Sequence, residues 1–579
     1  MSNLSSSNNL QSLNLYGRPA KENLSIALQG LEDSSSEEKI WKAGVIALCG
    51  KEKLASSIIE NTLESSSSLP ENYKIAYRKW KGQSNGLSHW PISYFQLYHG
   101  IKPTKSALPP RKACIDWNSS SKENLIIKIT CPQCKKQFPI SAQSDFSQQD
   151  SIACLTCFQV VKYNKKAAVQ TVREHFLNDF RNVEKVFAQR NPNANKLLVD
   201  IIAKAVLLEN FTPVRFVKLR TDRIGHLCLN TEIMIQEHKY LFNKNNAIFI
   251  CFTDQKICNK FMLEMWTRVL NFSPLAQVCF SFCKKSQALG ELALDITTSN
   301  DPRNNRGKDL HGLLAKTPPT LEFTKVDHER AKPHLEKMGI PPGEPYVCFL
   351  GRDSAYLKKQ IPDLDCSYHD YRNMPIHDYL PAMHALADMG IYCLRMGHIV
   401  EERLDGGRPE IIDYASNFRD EFMDVYLSAN CEMFVSVSSG IDAIPVIFNK
   451  PVCYINLIPA GYIPWGIKYF CIHKKCRLSN GHNYLTYKEQ LETGAAWFTR
   501  SVQYKHAGID IVNNTQEEIK YAVLEAWKRA KGEWKDTPEE ANLHDMMLSL
   551  FKKYDKFGYK AFNSRIGTEF LKANSYLLD

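Results

Sequence analysis

Phe434-Val-Ser-Val-Ser438-Ser439-Gly440-Ile-Asp442-Ala-Ile-Pro445, with Lys450-Pro451-Val452-Cys453-Tyr454 close behind, decides the fold. The apolar start reads as a buried strand, Ser-Ser-Gly as a turn, the residues after it as the start of a helix, and Val452–Ile455 as the next strand. Such a turn offers backbone N–H groups, two hydroxyls and the positive end of a helix dipole to a diphosphate. Asp442 would cap the helix or meet a ribose or sugar hydroxyl.

Outward from this run the same alternation continues. Tyr346–Leu350, Ile391–Met396, Glu410–Ile412 and Met433–Val437 read as strands, and Ile376–Met389, Ala443–Phe448 and Gln516–Lys531 as helices. An earlier alternation runs through strand Val214–Leu219, helix Leu227–Glu237, strand Asn246–Phe252 and helix Asp254–Leu270. Asp327–Met338 reads as a connecting helix, Asp295–Lys316 as a mobile polar loop, and Asn563–Leu577 as a helix returning to brace the first lobe. The expected class is α/β, with two Rossmann-like lobes facing a cleft and ligands outside the carboxyl ends of the strands. The boundaries are 1–110 for a helical region, 111–165 for a zinc ribbon, 166–325 for the first lobe with leading helices, and 326–579 for the second.

The N-terminal part is less patterned. Residues 1–20 are polar; Glu22–Leu63 and Glu71–Lys79 carry helical spacing broken by the serine runs Ser34–Ser36 and Ser65–Ser68. After them come Cys131-Pro-Gln-Cys134 and Cys154-Leu-Thr-Cys157, each beside a strand pattern. Two such pairs would hold one tetrahedral Zn(II) through four thiolates, leaving no open position for a substrate, so the metal is expected to be structural. Lys166–Asn210 is a long amphipathic stretch interrupted at Pro192.

With 579 residues the chain is too long for one core. Lys plus Arg number 73 against 62 for Asp plus Glu, a formal charge of +11. This excess suits phosphate-bearing ligands, but no basic block resembles a nucleic-acid arm, and no nucleic-acid partner is expected. No apolar run approaches the roughly 20 residues that span a bilayer, and no secretory leader is legible. Four of the 18 cysteines form the two pairs, and several others sit in apolar contexts. These features predict a cytoplasmic protein, with peripheral membrane attachment left open.

Several polar residues follow predicted strands. Arg352-Asp353-Ser354 comes directly after Tyr346–Leu350, where a guanidinium meets two phosphate oxygens at once. Arg395 is a further cationic point at the end of another strand, and Tyr368-His369-Asp370-Tyr371-Arg372-Asn373 is a loop crowded with polar and aromatic groups. In the first lobe, Asp222-Arg223-Ile-Gly225-His226 leads into a helix with Asn230 one turn on. His226 is either a general base for an acceptor hydroxyl or a capping or packing histidine, and Asp222 is the second candidate base.

These motifs, with Arg352-Asp-Ser-Ala-Tyr356-Leu, Ile412-Asp-Tyr-Ala415, Glu421-Phe-Met-Asp424-Val-Tyr426, Asn456-Leu-Ile-Pro-Ala-Gly461-Tyr462, Arg223-Ile-Gly-His226-Leu and Asn230-Thr-Glu232, resemble a family of bacterial glycosyltransferases. That family is known mainly from genome sequences and is associated with surface-glycan loci. The resemblance spans roughly residues 214–577, leaving the helical region and zinc ribbon outside it. Its Ser-Ser-Gly turn departs from the family's Thr-Gly-Thr-Gly-like form. The resemblance implies a GT-B-like pair of lobes and transfer from a sugar nucleotide to a glycan or protein acceptor without a catalytic metal. Arg352, Ser438, Ser439 and Gly440 would then neutralise the departing diphosphate, with Ser354 beside them and Arg372 or Arg395 sharing the charge. Asp413 or Asp442 would hold ribose or sugar hydroxyls, and His226 or Asp222 would act from across the cleft. The rivals are a sugar-nucleotide epimerase or hydrolase, and a non-catalytic protein that binds through the zinc ribbon.

Overall fold

A computed structural model describes Lys39, Ala43, residues 52–65, the short strands between 126 and 162 with Lys135, and residues 165–579 apart from 210–211, 242–246, 254–255, 298–306 and 356–366. The chain divides into two compact units.

The first takes in residues up to Arg215 together with Asn246–Ile248 and Ser281–Leu292. Its described elements include a helix at Glu52–Ser65, two antiparallel strand pairs and two further helices. The first pair joins β1 (Ile126–Thr130) with β2 (Gln137–Ser141); the second joins β3 (Ser151–Ala153) with β4 (Val160–Lys162). Cys131, Cys134, Cys154 and Cys157 lie outside the described residues, as does the stretch Glu71–Lys79. Helix Lys165–Ala188 buries Val169, Val172, Phe176, Phe180 and Val183, one stripe at helical spacing. It packs on helix Ala194–Leu207, the break falling around Pro192 as expected.

The second unit contains Phe216–Asn245, Phe249–Phe280 and Ala293–Asp579. Its smaller sheet is built from β5 (Val214–Lys218), β6 (Ile248–Phe252), β7 (Asn271–Phe272) and β8 (Ala293–Asp295), in the order β7-β6-β5-β8. The larger contains β9 (Tyr346–Phe349), β10 (Tyr392–Arg395), β11 (Ile411–Ile412), β12 (Met433–Ser436), β13 (Val452–Leu457) and β14 (Tyr469–His473). A separate antiparallel pair, β15 (Lys475–Leu478) and β16 (Ile509–Val512), stands beside it, and β17 (Arg565–Ile566) completes it. The order β11-β10-β9-β12-β13-β14-β17 is parallel throughout. β9, β12, β13 and β14 are buried along their whole lengths, which is why they read as apolar runs rather than alternations.

Both sheets grow from a central first strand, with the second and third strands on one side and the fourth on the other. The α/β class and the two Rossmann-like parallel sheets expected from the sequence are present. In each, the direction of growth reverses beside the first strand, and the crevice outside the carboxyl ends there is where open α/β sheets take ligands. In the larger sheet this place lies between the ends of β9 and β12.

Two expectations need correction. Residues 563–577 do not form one helix on the first lobe: Arg565–Ile566 become the outer strand of the larger sheet, and helix Thr568–Ala573 packs on helices Gln516–Ala530 and Pro538–Lys553. Arg565 and Ile566 pair beside Phe470 and Cys471, so ladder bonding overrides the helical spacing. The segment 307–316, expected to be mobile, is held by Asp309, which is 2% exposed and accepts from the N–H groups of Leu313 and Leu314 at 2.8 Å each. Among the described residues no helix is long and apolar enough to cross a membrane.

Gly466 shows how tightly that segment docks. A Cβ there would fall inside the carbonyl of Asp309. Gly466→Ala is expected to destabilise the fold by at least about 3 kcal/mol, because backbone rather than a flexible side chain must move. Chemical denaturation of the variant against the parent checks this.

Candidate functional site

The site is assembled at the switch point of the larger sheet. β9 runs out into Leu350-Gly351-Arg352, and β12 into Val437-Ser438-Ser439-Gly440. Ser438 adopts φ +62°, a left-handed conformation that costs a non-glycine residue on the order of 1 kcal/mol. Asp442 holds the turn: its Oδ2 accepts from the N–H of Ser439 at 2.6 Å and from Oγ of Ser436 at 3.0 Å. Burial pushes the Asp442 carboxyl up to about 6, against the pull of these bonds. With 6% exposure it supports the turn from beneath, closing a reciprocal cap with Ser439 over Gly440–Asp442 rather than capping the helix that follows.

Three cations gather on the segment 369–373, one of which, Arg372, reaches this turn. Arg352 donates from Nη1 to the carbonyl of His369 at 2.8 Å and to Oδ1 of Asn373 at 3.1 Å. Arg372 donates from Nη1 to the carbonyl of Ser438 at 3.4 Å, while its buried Nε has no hydrogen-bond partner. Lys474, just past β14 and 5% exposed, donates to the carbonyls of Tyr371 and Asn373 at 2.9 Å each. Among the described residues, no carboxylate comes within ion-pair distance of any of the three. Burial first, and Arg372 next, push Arg352 down to about 10; burial, then Arg352, pushes Lys474 down to about 8. His369 is driven down to about 4 by burial and then by Arg372, Arg352, Arg223 and Arg500, so it is neutral at pH 7. Arg500 lies over the Tyr368 ring, 5.8 Å from its centre.

The smaller sheet reaches the same place through helix Ile224–Tyr240. A Cβ on Gly225 would stand 3.1 Å from the Cα of Gly440, and one on Gly440 would stand 3.3 Å from Cγ2 of Ile224. Backbone meets backbone here, which is what a glycine at each position permits. His226 follows in the first turn, half-buried, with Nδ1 3.4 Å from Oδ1 of Asn230. Its pKa is lowered by burial and then by Arg220. Asp222 is engaged by Arg220 at 3.0 Å and by Arg223 at 3.8 Å.

Other residues singled out from the sequence sit elsewhere in the local network. Arg395 and Asp413 form an ion pair at 2.9 Å in which each side chain is 2% exposed, and Arg395 also donates to the carbonyl of Glu402 at 3.0 Å. Burial would raise the Asp413 carboxyl, but bonds from Ser416, Leu404 and Arg395 outweigh it and hold the pKa below its usual value. The two charges neutralise each other beneath the surface, each being the other's ion-pair partner. Ser354 donates to Glu401 at 2.9 Å, binding its loop to the one after β10. Among the described residues no group of three or more His, Cys, Asp or Glu is placed to hold a metal ion.

Lys474 was missed by sequence reasoning. The signal available was the apolar run Tyr469–Ile472 ending in His473-Lys474, a strand end like those that drew attention to Arg352 and Arg395.

No family model matches the chain, and no curated protein matches it. Among solved structures, the glycosyl transferase family 9 from Veillonella parvula DSM 2008 is similar at 8% identity over 54% of this chain and 97% of that one, with a TM-score of 0.32. The E. coli ADP-heptose lps heptosyltransferase II is similar at 12% identity over 41% and 83%, with a TM-score of 0.24. At scores this low neither likeness decides anything about this chain.

Lys474 provides a direct readout of the buried charge. Its folded pKa lies below the ordinary 10.5, so the unfolded chain binds more protons between the two values. Stability should therefore rise with pH from about 8 to about 10.5, by up to about 3 kcal/mol from this group. Urea titrations at both ends of that window should show the rise in the parent and lose it in Lys474→Met.

Proposed function

We propose that this chain is a glycosyltransferase that moves a sugar from a nucleotide donor to a glycan or protein acceptor. What supports this reading above all is the set of three cations at the switch point, Arg352, Arg372 and Lys474, held by carbonyl and amide oxygens. With no carboxylate within ion-pair distance among the described residues, the cluster is suited to an anionic ligand, and the Ser438-Ser439-Gly440 turn beside it suits a diphosphate.

In this reading Arg352 and Arg372 contact the diphosphate, and Lys474 adds charge from beneath while holding the turn 367–373 by two carbonyls. As the sugar–phosphate bond breaks, negative charge grows on the leaving oxygen and these fixed cations stabilise it. The reading gives that role to guanidinium and ammonium groups rather than to a metal. His226, beside Gly225, is preferred over Asp222 as acceptor base, because two arginines already engage the Asp222 carboxylate oxygens. The epimerase or hydrolase rival uses the same donor site and differs in whether an acceptor is required.

The donor site is tested by thermal shift with nucleoside diphosphates and sugar nucleotides. A ligand at about 100 times its Kd should add nearly 3 kcal/mol of stability. We expect one nucleobase to stabilise the parent and the effect to be lost in Arg352→Ala, which should also forfeit about 3 kcal/mol of transition-state stabilisation in turnover. No shift with any nucleotide would overturn the donor-site reading.

The cysteine pairs are proposed to hold one structural zinc that supports folding or docks the acceptor. Support comes from the hairpins: Thr130 pairs with Gln137 and Ala153 with Val160, so each Cys-x-x-Cys opens the short connection between two paired strands. Elemental analysis should find one zinc per chain, lost in Cys131→Ser; a zinc-free, well-folded parent would refute it.

A further inference from the structure

We propose that Asn230 fixes the tautomer of His226, so that Nδ1 carries the proton and Nε2 is left as the acceptor for an incoming hydroxyl. The role assigned to His226 rests on the glycosyltransferase reading above; the tautomer itself follows from the hydrogen bonds.

The Asn230 side chain has one end fixed. Its Nδ2 lies 2.8 Å from the carbonyl of Ile296, just past β8, and a carbonyl only accepts. The amide can therefore take only one of its two orientations, with NH2 toward Ile296 and Oδ1 turned away. Oδ1 lies 3.4 Å from Nδ1 of His226. An amide oxygen only accepts, so the nitrogen facing it must donate, and in a neutral imidazole the other nitrogen then has the free lone pair. Asn230 is 5% exposed, and Gly307 closes over its Oδ1, where a Cβ would come within 2.9 Å. The orientation is thus set by the first and fourth strands of the smaller sheet: β5 leads into the helix that carries both residues, and β8 supplies the carbonyl.

The charged groups acting on the ring are Arg220, Arg223 and Asp222, all from the loop before the helix. From the larger sheet, the part packed against this helix start is the Gly440 backbone, and the carboxylate under that turn, Asp442, is engaged by Ser439 and Ser436. The one carboxylate in this set that faces the ring, Asp222, is engaged by Arg220 and Arg223, and the partner found at Nδ1 among the described residues is Oδ1 of Asn230. In the transfer step, the acceptor hydroxyl gives its proton to Nε2 while its oxygen bonds to the anomeric carbon. The carbon–phosphate oxygen bond breaks, and its electron pair leaves on the nucleoside diphosphate. Asn230 is a positioning residue: it touches neither substrate, and it stabilises the imidazolium by accepting from Nδ1–H.

The test reads the ring directly. The full chain, labelled with 15N-histidine and studied by solid-state NMR without substrate, should show the His226 signal (identified by its loss in His226→Gln) with a protonated Nδ1 and a bare Nε2. The opposite tautomer overturns the proposal whether or not the chain is a transferase. In turnover, Asn230→Leu should lower kcat on the order of 100-fold with little change in donor KM. Asn230→Asp, which keeps an acceptor toward Nδ1, should recover part of that loss and move the low-pH limb of the rate profile, where the base is lost by protonation, to higher pH. An unchanged kcat and pH profile in folded Asn230→Leu would also overturn it. If the parent transfers no sugar but shows Nδ1–H, the proposed function fails and the tautomer assignment stands.

Discussion

A lysine ammonium buried to 5% exposure beside a half-buried arginine is an expensive thing for a protein to keep, and among the described residues Lys474 is kept with carbonyls for company rather than a carboxylate. Much of the larger sheet's upper edge is arranged around this. The turn 367–373 points two carbonyls at the ammonium, and the same turn presents Arg372 to the Ser438 carbonyl and Asn373 to Arg352. The small cluster beneath it, with Tyr371, Ile458, Cys476, Leu485, Tyr504 and Ile509, provides the wall that keeps water from relieving the charge. The interior thus stores a local excess of positive potential that a compact polyanion would relieve.

The second constraint is the contact of Gly225 with Gly440. It brings a helix start from the smaller sheet against a turn from the larger one with no side chain between them. Two sets of backbone N–H groups and their partial charges thereby act on one place, and His226 arrives there from a different sheet than the cations. The two sheets contribute differently to this meeting point: the larger brings Arg352, Arg372 and Lys474, and the smaller brings the His226 ring.

The strand-turn-helix run at Phe434–Pro445 and the strand before Arg352 were legible because parallel strands buried on both faces are continuous apolar runs bounded by turn residues. The stretch from Tyr462 to Thr515 was not. Its elements are short, and its core is collected from segments far apart in sequence, so no single window carries a period. Arg395 illustrates a different limit. Its position at a strand end matched that of Arg352, but sequence does not tell which way such a side chain turns, and Asp413 from the next strand's end captures it. Among the described residues Arg352 bonds to neutral oxygens, the His369 carbonyl and Oδ1 of Asn373, so two arginines at matching strand ends find different partners. The cysteines expected to hold zinc are the reverse case, plain in the sequence by their spacing and lying outside the described residues.

The pairing of β14 with β17 also has a consequence for how the chain is made. Residues 474–564 intervene between the two strands, and they include helices Gln516–Ala530 and Pro538–Lys553. Throughout their synthesis β14 stands at the rim of the sheet with one row of N–H and C=O groups unmatched, and its sequence Tyr-Phe-Cys-Ile-His is apolar. A rim of that kind recruits foreign strands. The Phe470–Cys471 backbone is therefore the place where nascent chains would first adhere to one another, and the two residues of β17 act as the stopper that ends this exposure.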